Sequence, residues 1–161
     1  MTAQVHEKLT LDGQPLTMAF IPSIPADHPR IVELDWSEAS RDAPSVVHST
    51  ACWRGYIGSW EIKDGLFYLV GLVGRLRLTG SEPLLADWFS GVLRIPQGKL
   101  LHYVHMGCGS IYEFEEHVKI ENGRVISRRR IDNRKRQFDH DDLTWRSLPG
   151  SENRFDGDDE I

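Results

Sequence analysis

The chain has 161 residues, 40% of them hydrophobic and 27% charged, with a formal net charge of −5. That is the profile of one globular domain large enough to fold without disulfide or metal staples. It offers no apolar run near the roughly 20 residues of a membrane helix, no secretory signal at its start, and no overall basicity of the kind that coats nucleic acid.

Residues 7–20, EKLTLDGQPLTMAF, alternate apolar and polar on either side of Asp12-Gly13. Asp-Gly supplies the positive φ angles of a tight type I′ turn, so the stretch predicts a first β-hairpin. Pro22, Pro25 and Pro29 then make an extended connector. Residues 30–43 predict a strand followed by one helical turn beginning near Asp35 or Ser37.

The next predicted hairpin is the best defined. VVHSTACWRGYIGSWEI leads to Asp64-Gly65, and LFYLVGLVGRLRL returns. Strict alternation puts Leu66, Tyr68, Val70, Leu72, Leu76 and Leu78 on one face and Phe67, Leu69 and Val73 on the other. Gly55, Gly58, Gly71 and Gly74 inside these strands predict a bulge, a bend or a close backbone approach.

Ser81 and Pro83 read as the start of a helix of at most two turns through LLADWF, ended by Gly91. VLRI then enters a strand, Pro96-Gln97-Gly98 reads as a turn, and KLLHYVHM as the returning strand. Gly107-Cys108-Gly109-Ser110 forms the next corner. A last hairpin turns at Asn122-Gly123. The fold class that follows is all-β, an antiparallel β-sandwich or partly open barrel built from hairpins, with one or two short helices. Residues 1–136 form the domain, and residues 137–161 an acidic tail that is mobile or docked at the periphery.

Trp53-Arg54-Gly55-Tyr56, Trp60-Glu61-Ile62, ADWFSG (86–91), IPQGKLL (95–101) and YVHMGCGSIYE (103–113) together resemble a family of small uncharacterised bacterial proteins. The resemblance covers residues 47–123, and the family pattern carries tyrosine where this chain has Cys108. It implies a compact β domain and brings no assigned activity.

Three constellations carry possible chemistry. His102, His105, Cys108 and His117 supply imidazole and thiolate, but alternation sends His102 and His105 to opposite faces and no second ligand cluster exists, so no metal is expected. Asp87, His105 and Glu113, with Tyr103 and Tyr112, hold the groups a general acid–base enzyme needs, without the spacing of a known triad or nucleophile elbow. Trp53, Arg54, Tyr56, Trp88, Tyr103 and Tyr112 are candidate binding residues, able to line a groove or an interface.

Charge is also segregated. Residues 124–136 carry seven basic side chains and one acid, and residues 137–161 eight acids and two bases. The tail is expected to shield the basic block in cis, which makes nucleic-acid binding the weaker reading. Only Cys52 and Cys108 are present, as suits reduced thiols in a cytoplasm. The leading expectation is a non-enzymatic binding module with a protein or small-molecule partner, no cofactor and no membrane. A small hydrolase using Asp87, His105 and Glu113 is the alternative, and a metal- or nucleic-acid-binding protein the third.

Overall fold

Alternating strands joined by turn dipeptides account for most of the architecture. The computed structural model describes residues 3–35, 37, 44–103 and 108–135. The strands are β1 (Glu7–Leu11), β2 (Gln14–Met18), β3 (Ile31–Glu33), β4 (Tyr56–Lys63), β5 (Leu66–Gly74), β6 (Leu76–Leu78), β7 (Leu84–Leu85), β8 (Gly91–His102), β9 (Ile111–Glu121) and β10 (Arg124–Asp132). The three hairpins turn where positive φ is affordable, at Asp12-Gly13, Asp64-Gly65 and Asn122-Gly123, each with both turn residues at positive φ.

The main sheet runs β2-β1-β4-β5-β10-β9-β8, with β7 pairing beside β5; β3 and β6 form a separate ribbon. All described pairings are antiparallel except β1 with β4, which is parallel. The sheet is therefore mixed. The connection from β2 to β4 is long enough for such a crossover.

Two curled leaves result. β5 meets β10 at one pair, Arg124 opposite Leu66. At the next positions the short β7 takes that edge, pairing Tyr68 with Leu85 and Leu69 with Leu84. One leaf is β2-β1-β4-β5, the other β10-β9-β8. Their far edges meet again where the Ala19 N–H donates to the Arg94 carbonyl (2.8 Å). The barrel is partly open, not closed. The core gathers Leu9, Leu11, Trp60, Ile62, Phe67, Leu69, Leu93, Ile95, Val118 and Ile120 from both leaves. Trp60 stacks on Phe67 at 4.9 Å between centroids, and Phe89 meets Phe67 at 5.6 Å.

Several local expectations fail for identifiable reasons. The helix expected after Ser81 is absent: Leu84–Leu85 is a strand, because the free edge of β5 supplies hydrogen bonds that two isolated helical turns would lack. Pro96-Gln97-Gly98 is no turn. β8 continues through it, shifting register between Gln97 and Leu100, with Gly98 at φ 81°. The Glu113 carboxylate accepts from the Lys99 N–H (2.6 Å) at this irregularity. The strand expected from Val46 starts only at Tyr56; residues 45–52 hold two 3-10 turns, the second capped by Ser49. The face assignment on β5 holds only in part. Register slips between Ser59 and Trp60, leaving Val70 as the extra residue, so Phe67 and Leu69 are buried before it and Leu72 and Leu76 after it. Of the helical turn expected to begin near Asp35 or Ser37, those two residues are described, with Ser37 helical, and residues 36 and 38–43 lie outside the described residues, as does the tail at 137–161.

Candidate functional site

Glu7 opens β1 in phase with Leu9 and Leu11, so alternation delivers a carboxylate to the buried face; it is 0% exposed. Arg54 precedes β4, and its Nη2 donates to Glu7 Oε2 (3.0 Å) and to the Val5 carbonyl (2.9 Å). The Gly58 N–H donates to the same Oε2 (2.6 Å). A Cβ at Gly58 would sit 2.6 Å from Trp60 Nε1 and 2.7 Å from Glu7 Oε1, so glycine is what lets the carboxylate reach the β4 backbone. Burial pushes the Glu7 carboxyl above its ordinary range, opposed by Arg54 and the Gly58 amide. Among the described residues, Glu7 Oε1 and Arg54 Nε and Nη1 make no hydrogen bond.

A second buried pair braces β8 to β9. Arg94 Nε donates to Glu115 Oε1, while its Nη1 and Nη2 hold the Cys108 and Ser110 carbonyls at 2.6 and 2.5 Å. Asn133 Nδ2 donates to Glu115 Oε2 (2.5 Å) and to the Tyr112 carbonyl (3.1 Å), tying the end of β10 to the same carboxylate. The two pairs are electrostatic neighbours. His6 is lowered by burial and then by Arg94 and Arg54, and the Cys108 thiol is raised by burial against the pull of both guanidiniums. His117, opposite Arg94 across β8–β9, is 1% exposed and held down to about 3, chiefly by burial. This centre has acids committed to arginines and a thiol kept protonated. These contacts brace β1 to the segment entering β4 and β8 to β9.

Between the two leaves lies an open cleft of about 1010 Å³. Lys8, Thr10, Ser59 and Val70 line it from one leaf, and Gln97, Glu116 and Arg130 from the other. Arg128 bridges the leaves, donating to Asp12 at the β1–β2 turn (3.0 Å) and to Glu116 on β9 (2.6 Å from Nη2).

The candidate residues fall in separate places. Asp87 is exposed, with its backbone beside Gly123 at the β9–β10 turn. Glu113 braces the β8 bulge near the opposite end of β9. Ten strand positions separate Gly123 from Glu113, on the order of 30 Å, so the two carboxylates do not meet. His105 lies outside the described residues. Arg54 is in the buried centre, and Tyr56 is itself buried, with Arg54 and Arg75 at 5.7 and 5.6 Å from its ring. Tyr112 meets His6 edge-on at 6.1 Å. Trp88 donates to the Ser23 carbonyl (2.8 Å) and so pins the proline connector. Trp53 and Tyr103 are exposed, Trp53 beside a shallow pocket of about 350 Å³. Among the described residues no cluster of three or more His, Cys, Asp or Glu is arranged to hold a metal.

Sequence reasoning missed Glu7, Arg94, Glu115 and Asn133, and it missed the cleft. Glu7 had left a signal: a charge in phase with buried leucines. Comparison of the chain with protein-family models, with curated proteins and with solved structures finds no match in any of the three.

Proposed function

We propose that the protein is a non-enzymatic binding module whose ligand is a small molecule held in the cleft between the two leaves. The observation that carries this reading is the cleft, about 1010 Å³ and walled by both leaves. That volume suits a small organic ligand, and partly open barrels commonly bind at such mouths. The separation of Asp87 from Glu113 argues in the same direction, since a hydrolase built on that pair would need them together. Cys52 and Cys108 are free thiols, in keeping with a reducing compartment. No described helix is long and apolar enough to cross a membrane.

The test is a screen of a chemically diverse small-molecule library by amide chemical-shift changes, using the full chain and a Thr10→Trp variant that fills the cleft. Hits should shift amides of β1, β4 and β10 in the parent and vanish in the variant. Hits that map elsewhere and survive the substitution, or no hits at all, defeat the reading.

A further inference from the structure

The charges on the cleft walls do not cancel, and the excess identifies the chemistry of a ligand. Glu116 is the carboxylate on the lining, and Arg128 occupies it through Nε (2.8 Å) and Nη2 (2.6 Å) while also holding Asp12. Lys8 and Arg130 remain; Arg130 stands opposite Glu116 in the β9–β10 register without an ion pair to it. Among the described residues neither makes an ion pair. The cross-strand neighbours of Lys8 are Thr17 and Ser59, hydroxyls in place of carboxylates. Glu61 stands opposite Thr10 across β1–β4, and among the described residues no ion pair joins it to Lys8. Arg130 lies with its guanidinium carbon 4.5 Å over the Phe114 ring, which restrains the cation without neutralising it.

Lys8 and Arg130, on facing leaves, outnumber Glu116 on the lining by one positive charge, with hydroxyls beside Lys8, against the −5 charge of the whole chain. A local positive field on an acidic protein selects anions and excludes its own kind. We propose that the cleft takes the anionic group, carboxylate or phosphate, of a small organic molecule between Lys8 and Arg130; this rests on the cleft being the ligand site. Thr10, Thr17 and Ser59 donate hydroxyl hydrogen bonds to the anion, and the apolar lining at Leu16, Val70 and Pro96 receives the body.

The test titrates the full chain with inorganic phosphate, acetate and, as a neutral match, acetamide, at constant ionic strength, reading amide shifts. Saturable shifts at Lys8, Thr10 and Ser59 with phosphate or acetate, and none with acetamide, are expected. Lys8→Gln and Arg130→Gln, each verified as folded by its melting temperature, should weaken binding about tenfold. Lys63→Gln, outside the cleft, should not. Phosphate alone, acetate alone or both then names the group carried. Linear, unsaturable shifts matching those of added chloride overturn the proposal as general screening. If library compounds fill the cleft but no anion does, this inference fails and the binding-module reading survives. If nothing enters the cleft, both fail.

Discussion

Glu7 and Arg54, 47 residues apart in the chain, meet at 3.0 Å with the Glu7 side chain wholly buried and that of Arg54 9% exposed. The contact joins β1 to the segment entering β4, and these two strands run parallel. Parallel strands have no tight turn to fix their register. The buried pair supplies a specific registration instead: the carboxylate must reach Arg54 and the Gly58 amide at once. Removing one partner strands the other in a low-dielectric site, so Glu7→Gln and Arg54→Met should each cost roughly 3–5 kcal/mol in urea unfolding followed by tryptophan fluorescence. The double variant Glu7→Leu with Arg54→Met should cost clearly less than the sum. Additive losses would mean that the two side chains act independently.

Acid sensitivity should come mainly from buried imidazole. The folded pKa of His117, about 3, lies below its ordinary 6.5, and His6 is shifted the same way. A depressed pKa means the unfolded chain binds the proton more readily. The stabilisation is therefore complete above pH 6.5 and is lost as pH falls from there toward 3. For His117 the full term is on the order of 5 kcal/mol. Glu7, raised by burial, works with the opposite sign: its contribution is present below about pH 4.5 and is lost as pH rises through its folded value. His117→Leu should flatten the fall in melting temperature between pH 6.5 and 4, and it also removes a buried Nε2 without a hydrogen bond. An unchanged pH profile would put the imidazole in solvent contact.

The turns and most strands were legible because their signals are local. Asp-Gly and Asn-Gly can be read from two residues, and the structure turns at each. What failed depends on partners distant in sequence. Leu84-Leu85 is a strand because β5 has a free edge beside it, and Ser81 with Pro83 carries no trace of that edge. β8 runs on through Pro96 and Gly98 because Glu113, on the neighbouring strand, accepts the Lys99 amide. The site was harder still. Arg54 was singled out as a possible wall, yet its partner Glu7 and the neighbouring Arg94 and Glu115 converge only once both leaves curl.

Gly74 should be intolerant of any side chain. Its φ is 116°, and a Cβ there would stand 2.8 Å from the Tyr56 Cα at the point where β5 ends and the chain crosses to β6. Backbone cannot swing aside as a side-chain tip can, so Gly74→Ala combines left-handed strain with a main-chain clash. A loss of roughly 2–4 kcal/mol is expected. Gly13→Ala is the control for strain alone, since φ is 88° and nothing lies within 4 Å of its Cβ; it should cost about 1 kcal/mol. Equal losses at the two sites would remove the packing argument.

The Asp12–Arg128 pair should govern how far the leaves part while contributing little to global stability. Asp12 sits at φ 48° in the β1–β2 turn, a conformation asparagine adopts as readily, so Asp12→Asn removes the charge and keeps the hairpin. The side chains are 56% and 39% exposed, and a pair so placed contributes about 0–1 kcal/mol and is screened by salt. Arg128 retains Glu116, which belongs to its own leaf. The substitution therefore cuts a tie across the cleft and spares the one along its wall. Urea unfolding should change by less than about 1 kcal/mol. Amide exchange should nonetheless quicken in Gln14–Met18, and 0.5 M salt should reproduce that change in the parent chain. A loss above about 2 kcal/mol would show that the pair carries global stability, and exchange unaltered by both substitution and salt would show that the leaves are held by their apolar core alone.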